Sequence, residues 1–114
     1  MSASAESLLD RDLALTRVGG DATLLKEIAT LFLEDYPVTL AELHDALGRG
    51  DAQTVERAAH GLKGSVANFG AYTAVETARS IENMGRAHQL AEAAQLLNTL
   101  ETALAALRPE LESL

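Results

Sequence analysis

The stretch AQTVERAAHGLKGSVANFGA, residues 52–71, decides how this 114-residue chain is read. On a helical wheel of about 100° per residue, Val55, Ala59, Leu62, Val66 and Phe69 form one stripe, the spacing of a helix with its apolar face turned to a core. His60 falls about 140° from the centre of that stripe, so its imidazole points outward. Its companions on the outer face are Gln53, Glu56, Lys63, Gly64 and Ala67. A glycine inside a helix costs up to about 1 kcal/mol relative to alanine. Gly61 and Gly64, beside an outward histidine, therefore want a reason, and close approach of another body supplies one.

Working outward, Phe69-Gly70-Ala71 reads as a corner and Tyr72 to Met84 as a further helix presenting Val75, Ala78 and Ile81, with Gly85 as its terminator. Leu90, Ala93 or Ala94, Leu97, Leu100, Leu104 and Leu107 recur at spacings of three and four, which predicts a last helix over about 88–108, stopped by Pro109. Upstream, Gly48-Arg49-Gly50-Asp51 is a turn that ends one helix and caps the next. Before it, Leu24, Leu25, Ile28, Leu31, Phe32, Leu40, Leu43 and Leu47 keep helical spacing across Pro37, predicting one helix over 21–47 with a kink near Asp35-Tyr36. A thin first helix over about 5–17 rests on Leu8, Leu9 and Leu13, followed by the Gly19-Gly20-Asp21 turn. Short turns between long helices predict an all-α fold, an antiparallel four-helix bundle with an additional short N-terminal helix, formed by residues 1–114 as one domain.

Composition agrees. Leucine and alanine dominate, tryptophan and cysteine are absent, and only 4% of residues are aromatic, a balance that suits close helix packing without disulfide or thiolate chemistry. A formal charge of -8 opposes binding to a phosphate backbone or an anionic membrane. No apolar run approaches a membrane span and the N-terminus has no secretory-signal pattern, so a cytoplasmic protein without nucleic-acid or membrane partners is expected. The apolar stripe of the last helix is accounted for inside one bundle, so a monomer is expected. The short termini favour a free-standing protein over a domain cut from a larger kinase.

A neutral imidazole offers one nitrogen lone pair at neutral pH while the other nitrogen holds the proton, so a histidine can carry a phosphoryl group. Lys63 lies about one turn from His60, where its ammonium can reach such a group, and Gly64 leaves space beside the ring. The duller alternative makes His60 one of three solvated histidines, the reading given to His44 and His88, which lack lysine at plus three with glycine at plus four. A metal site is poorly supported, since Glu56 is the only co-ligand at helical spacing. No glycine-flanked serine elbow suggests a hydrolase.

Ala59-His60-Gly61-Leu62-Lys63-Gly64-Ser65-Val66-Ala67-Asn68-Phe69-Gly70-Ala71 resembles the signature of the histidine-containing phosphotransfer (HPt) domains of two-component phosphorelays. The Gly19-Gly20-Asp21 turn, Phe32 with Pro37, the Leu47 to Asp51 turn, and Glu76 with Arg79 extend the resemblance over nearly the whole chain. It implies a phosphorelay intermediate that accepts a phosphoryl group on His60 from a response-regulator receiver aspartate and passes it to another, without autokinase activity. It implies receiver domains, and a hybrid sensor histidine kinase, as partners. No cofactor is expected on this chain, the divalent cation belonging to the partner receiver. Lys63 matches the family's lysine and Gly64 its small residue. Glu82 matches a position on the following helix where relay domains often have glutamine and chemotaxis kinases have glutamate. There it would hold Nδ1 of His60 and leave Nε2 to be phosphorylated, the alternative being a solvated glutamate or one paired with a nearby arginine. The expected docking face comprises Gly61, Gly64 and Ala67, with apolar help from Leu9, Leu13 or Val18 of the first helix.

Overall fold

A computed structural model describes residues 8–114 and, among these, contains five helices and no strand. They are α1 (Arg11–Arg17), α2 (Ala22–Arg49), α3 (Ala52–Ala67), α4 (Tyr72–Arg86) and α5 (Leu90–Glu112). The four long helices pack as a closed circuit, α2 on α3, α3 on α4, α4 on α5 and α5 back on α2, with α1 resting on α2. Asp10, Asp21 and Asp51 start the first three helices, each side chain accepting from the backbone N–H three residues on, at 3.0, 3.0 and 3.1 Å.

The predicted stripe of α3 is the one buried, with Val55, Ala59, Leu62, Val66 and Phe69 all in the core. On α4 it is Ala74, Val75, Ala78 and Ile81, and on α5 Ala93, Leu97, Leu100, Leu104, Leu107 and Leu111. On α2 the core face is Leu25, Ala29, Phe32, Tyr36, Leu43 and Ala46, so two members of the predicted series, Leu24 and Leu31, are exposed instead. A run of adjacent leucines satisfies more than one helical phase, and packing against α3 and α5 selects the phase that buries both aromatic rings. Phe32 stacks on Tyr36 and leans on Phe69, at centroid distances of 5.3 and 5.6 Å.

Several boundaries differ from the sequence expectation. The first helix begins at Arg11, with Leu8 and Leu9 ahead of its Asp10 cap, and the predicted stretch 5–7 lies outside the described residues. The lead-in is held elsewhere: the Leu8 N–H donates to both oxygens of Glu110 at 3.0 Å, and the Asp10 N–H donates to the Phe69 carbonyl at 2.8 Å. Pro109 does not stop α5, which runs on to Glu112. The carbonyl it deprives belongs to exposed Ala105, where water can replace the lost N–H, and burial of Leu107 and Leu111 on either side favours continuing the helix. Pro37 likewise sits inside an unbroken α2. Its orphaned Leu33 carbonyl receives a long contact, 3.5 Å, from Nη2 of Arg108, whose Nε donates to the Tyr36 hydroxyl at 3.2 Å while the guanidinium lies over the Tyr36 ring.

Gly85 does not terminate α4. It is buried within the helix at its crossing with α3, where an added Cβ would stand 2.9 Å from the backbone nitrogen of Glu56 and 3.1 Å from Val55 Cγ1. The left-handed turn that ends α4 falls instead on His88, at φ 60°, so this residue is not in α5. Its N–H donates to the Gly85 carbonyl at 3.1 Å, and that of Gln89 to the Met84 carbonyl at 2.8 Å. A β-carbon in this conformation costs about 1 kcal/mol. The substitutions Gly85→Ala and His88→Gly should therefore act in opposite directions. The first should lower stability by about 1–3 kcal/mol through overpacking, and the second raise it by up to about 1 kcal/mol, or a few degrees in thermal melting.

Candidate functional site

α3 supplies His60 and Lys63, and α4 supplies Glu82 and Arg86, across the tight crossing that Gly85 permits. Glu82 stands on the buried side of α4 next to Ile81 and is the single buried charged residue among those described. A buried carboxylate is costly unless matched by donors and positive charge, and this one is matched on three sides. Nδ1 of His60 lies 2.8 Å from Oε2. The Lys63 ammonium lies 2.7 Å from Oε1 as an ion pair without good hydrogen-bond alignment. Nη2 of Arg86 reaches Oε2 at 3.3 Å, one turn along the same helix, while its Nε donates to Glu56 at 2.9 Å.

Burial pushes the Glu82 carboxyl up, but the contacts with Lys63 and then His60 outweigh it, and the group is held below its ordinary value of 4.5. It is therefore ionised at neutral pH and can only accept hydrogen bonds, so Nδ1 of His60 must carry the proton. The lone pair of a neutral His60 is then on Nε2. The His60 side chain is 66% exposed while that of Glu82 is 7% exposed, so the ring is held at its base and open to solvent at its tip.

Around the ring, Gly61 and Gly64 are exposed, and a Cβ added to either would touch nothing within 4 Å. A shallow pocket is lined by Gln53, Glu56, Arg57, His60, Glu82 and Arg86. The neighbouring groove between α2 and α3 is lined by Val38, Gly61 and Arg57 among others. The exposed apolar residues along this side are Leu31 and Val38 of α2. Of the three residues expected to help from the first helix, only Leu9 is withdrawn from the surface. Leu9 is buried in the core, and Leu13 is half-buried against the Gly70 corner, beyond the end of α3, which itself lies about 10 Å of helix rise from His60. Val18 is half-buried.

Of the residues singled out in the sequence, His60, Lys63 and Glu82 come together and Gly64 lies beside them. Ala67 is half-buried near the end of α3. His44 pairs with Glu101 at 2.8 Å between α2 and α5, and His88 forms the turn described above. Arg86 was not singled out by number. Its spacing of four from Glu82 was the available signal, since residues one turn apart on a helix face one another. Among the described residues no group of three or more His, Cys, Asp or Glu could hold a metal ion, and no helix is long and apolar enough to cross a membrane.

The sequence model of the Hpt domain matches residues 27–110, which include His60, Lys63, Gly64, Glu82 and Arg86. The chain belongs to that family, the histidine phosphotransfer domains of two-component signalling, whose members work with response-regulator receivers and kinases. Among solved structures it is similar to histidine-containing phosphotransfer protein B (HptB) from Pseudomonas aeruginosa PAO1, with a TM-score of 0.86 and 27% identity over 98% of this chain and 95% of that one. Comparison with curated proteins finds no match.

The Glu82 arrangement has a pH signature. A carboxyl depressed in the folded state contributes stability that is present above its unfolded value and disappears as the pH falls through the folded value. For Glu82 that loss lies below about pH 4.5. Glu82→Gln should cost about 1–2 kcal/mol at pH 7, and the gap to the parent protein should close as the pH is lowered below 4.5. Urea unfolding at stepped pH measures both, and a constant gap down to pH 2 would contradict the ionised, three-partner carboxylate.

Proposed function

We propose that this protein is a phosphorelay intermediate in which His60 accepts a phosphoryl group from a receiver aspartate and passes it to another receiver. The observation that carries the reading is an exposed imidazole whose Nδ1 is held by an ionised, buried Glu82, leaving Nε2 as the nucleophile facing solvent. In the forward step the Nε2 lone pair forms the N–P bond while the acyl-phosphate O–P bond breaks, and the departing carboxylate keeps that electron pair. No proton needs to move. Nδ1 keeps its hydrogen, the phosphorylated ring gains imidazolium character, and Glu82 lies 2.8 Å away to stabilise it.

Lys63 has the flexible stem to swing its ammonium from Glu82 towards the phosphoryl oxygens, while Arg86 and the charged ring keep the carboxylate matched. Gly64 and Gly61 keep the approach to Nε2 free of side chains, so a receiver's active-site loops can close on the ring. The receiver contributes the acidic pocket and its divalent cation, and this chain needs no cofactor and has no kinase activity of its own. Docking uses the α2–α3 side, where Val38 offers exposed apolar surface in the groove that Gly61 lines and Leu31 adds more towards Asn68. We read the four long helices as an antiparallel bundle and residues 1–114 as one domain, monomeric and cytoplasmic.

Incubation with a phosphorylated receiver should label the protein with an acid-labile, base-stable phosphate. His60→Gln should abolish the label, and Lys63→Ala should slow transfer about tenfold. A label that survives loss of His60, or no label with any receiver of the source cell, would defeat the relay reading in favour of a module that docks without accepting phosphate. Val38→Asp should weaken receiver binding at least about tenfold while leaving unfolding free energy within about 0.5 kcal/mol. Unchanged binding would move the docking face elsewhere.

A further inference from the structure

Three cations of α3 and α4 stand close to His60, and they are not equivalent. Lys63 is neutralised by Glu82, and Arg86 by Glu56 and Glu82. Arg57 is exposed and lines the pocket that holds His60, yet no carboxylate among the described residues comes within ion-pair distance of it. Its guanidinium makes a long hydrogen bond, 3.5 Å, to the Thr54 hydroxyl, which itself donates to Asp51, and it helps lower the Asp51 carboxyl from beyond ion-pair distance. Asp35 and Glu42 of α2 line the same groove as Arg57 without pairing with it.

The direction of the ring separates these cations further. At 3.6 residues per turn, Lys63 and Glu56 project about 60° and 40° to one side of His60, the side that faces α4. Arg57 projects about 60° to the other side, together with Gly61 and Gly64. The two nitrogens of an imidazole point away from each other. With Nδ1 held at Glu82, Nε2 lies on the ring edge turned from that carboxylate, and the flank of α3 away from α4 is the one that carries Arg57 and the two glycines.

We infer that Arg57 is a phosphoryl-binding residue: its guanidinium donates to the oxygens of the group carried on Nε2 of His60, from the side opposite Glu82. Guanidinium geometry suits two phosphoryl oxygens at once, and the missing side chains at Gly61 and Gly64 leave the space between them open. Arg57 has no ion pair to give up on engaging the phosphoryl group, whereas Lys63 and Arg86 each do. This assignment rests on His60 being the acceptor, and it makes the phosphorylated state more stable in the isolated protein, before any receiver docks.

The test is therefore made without a receiver. The full chain is loaded with potassium phosphoramidate, and the second ionisation of the phosphoryl group is followed by phosphorus NMR as the pH is varied. A neighbouring cation favours the dianion, so Arg57→Gln should raise the midpoint by about 0.5 pH unit and Arg57→Lys by less. Once a receiver that exchanges phosphate with the protein is in hand, Arg57→Gln should shift the equilibrium towards the receiver about threefold. That ratio depends only on the free species, so contacts made during docking cannot change it. An unmoved midpoint and ratio, with only slower transfer or weaker receiver binding, would overturn the assignment and make Arg57 a docking contact. Loading of the parent protein that is unaffected by His60→Gln would overturn the acceptor itself, and Arg57 with it. Arg57 lies on the surface, so unchanged thermal melting of both variants separates these outcomes from misfolding.

Discussion

One buried carboxylate sets the terms for everything around His60. Glu82 lies among core residues of α4 and remains ionised because His60, Lys63 and Arg86 each bring a donor or a positive charge to it. A buried charge needs good partners, so the carboxylate in turn holds the His60 ring at its base. The imidazole consequently has a fixed tautomer and a fixed outward nitrogen while most of its surface stays wet. A reactive group that must meet a partner's active site needs that combination of restraint at its base and freedom at its tip.

The carboxylate reaches α3 because α3 and α4 approach closely, and Gly85 sets that distance. Its missing β-carbon leaves room for the backbone of Glu56 and the side chain of Val55. The same chain of residues that brings the helices together thus also brings Glu56 to Arg86 and Arg86 to Glu82. Packing and electrostatics are one construction here. The glycines of α3 have the contrary role: among the described residues nothing lies within 4 Å of where their β-carbons would stand, so an approaching body gives their bareness a use.

The sequence carried the all-α fold, the buried face of α3 and the outward placement of His60, because each depends on local periodicity. What it hid depends on neighbours distant in sequence. Leu24 and Leu31 fit the helical series of α2 as well as Leu25 and Phe32 do, and only the positions of α3 and α5 decide between them. Gly85 reads as a terminator in one dimension and as a crossing point in three. Pro109 reads as a stop, although its cost is limited to one exposed carbonyl and a local clash that flanking buried leucines outweigh. At the site, Lys63 and Gly64 follow from spacing to His60, whereas Glu82 needed the family resemblance, and Arg86 entered only as an unnumbered arginine near it, its link to Glu56 visible once α3 and α4 are placed together.

The contact between Arg108 and the carbonyl of Leu33 has a consequence for what α2 is. The gap opened by Pro37 is covered by a side chain contributed from seventy-five residues further along the chain, so the carbonyl this long rod leaves orphaned is served by assembly and not by its own peptide. The wall beside the histidine thus has its proline gap covered by a side chain of the last helix.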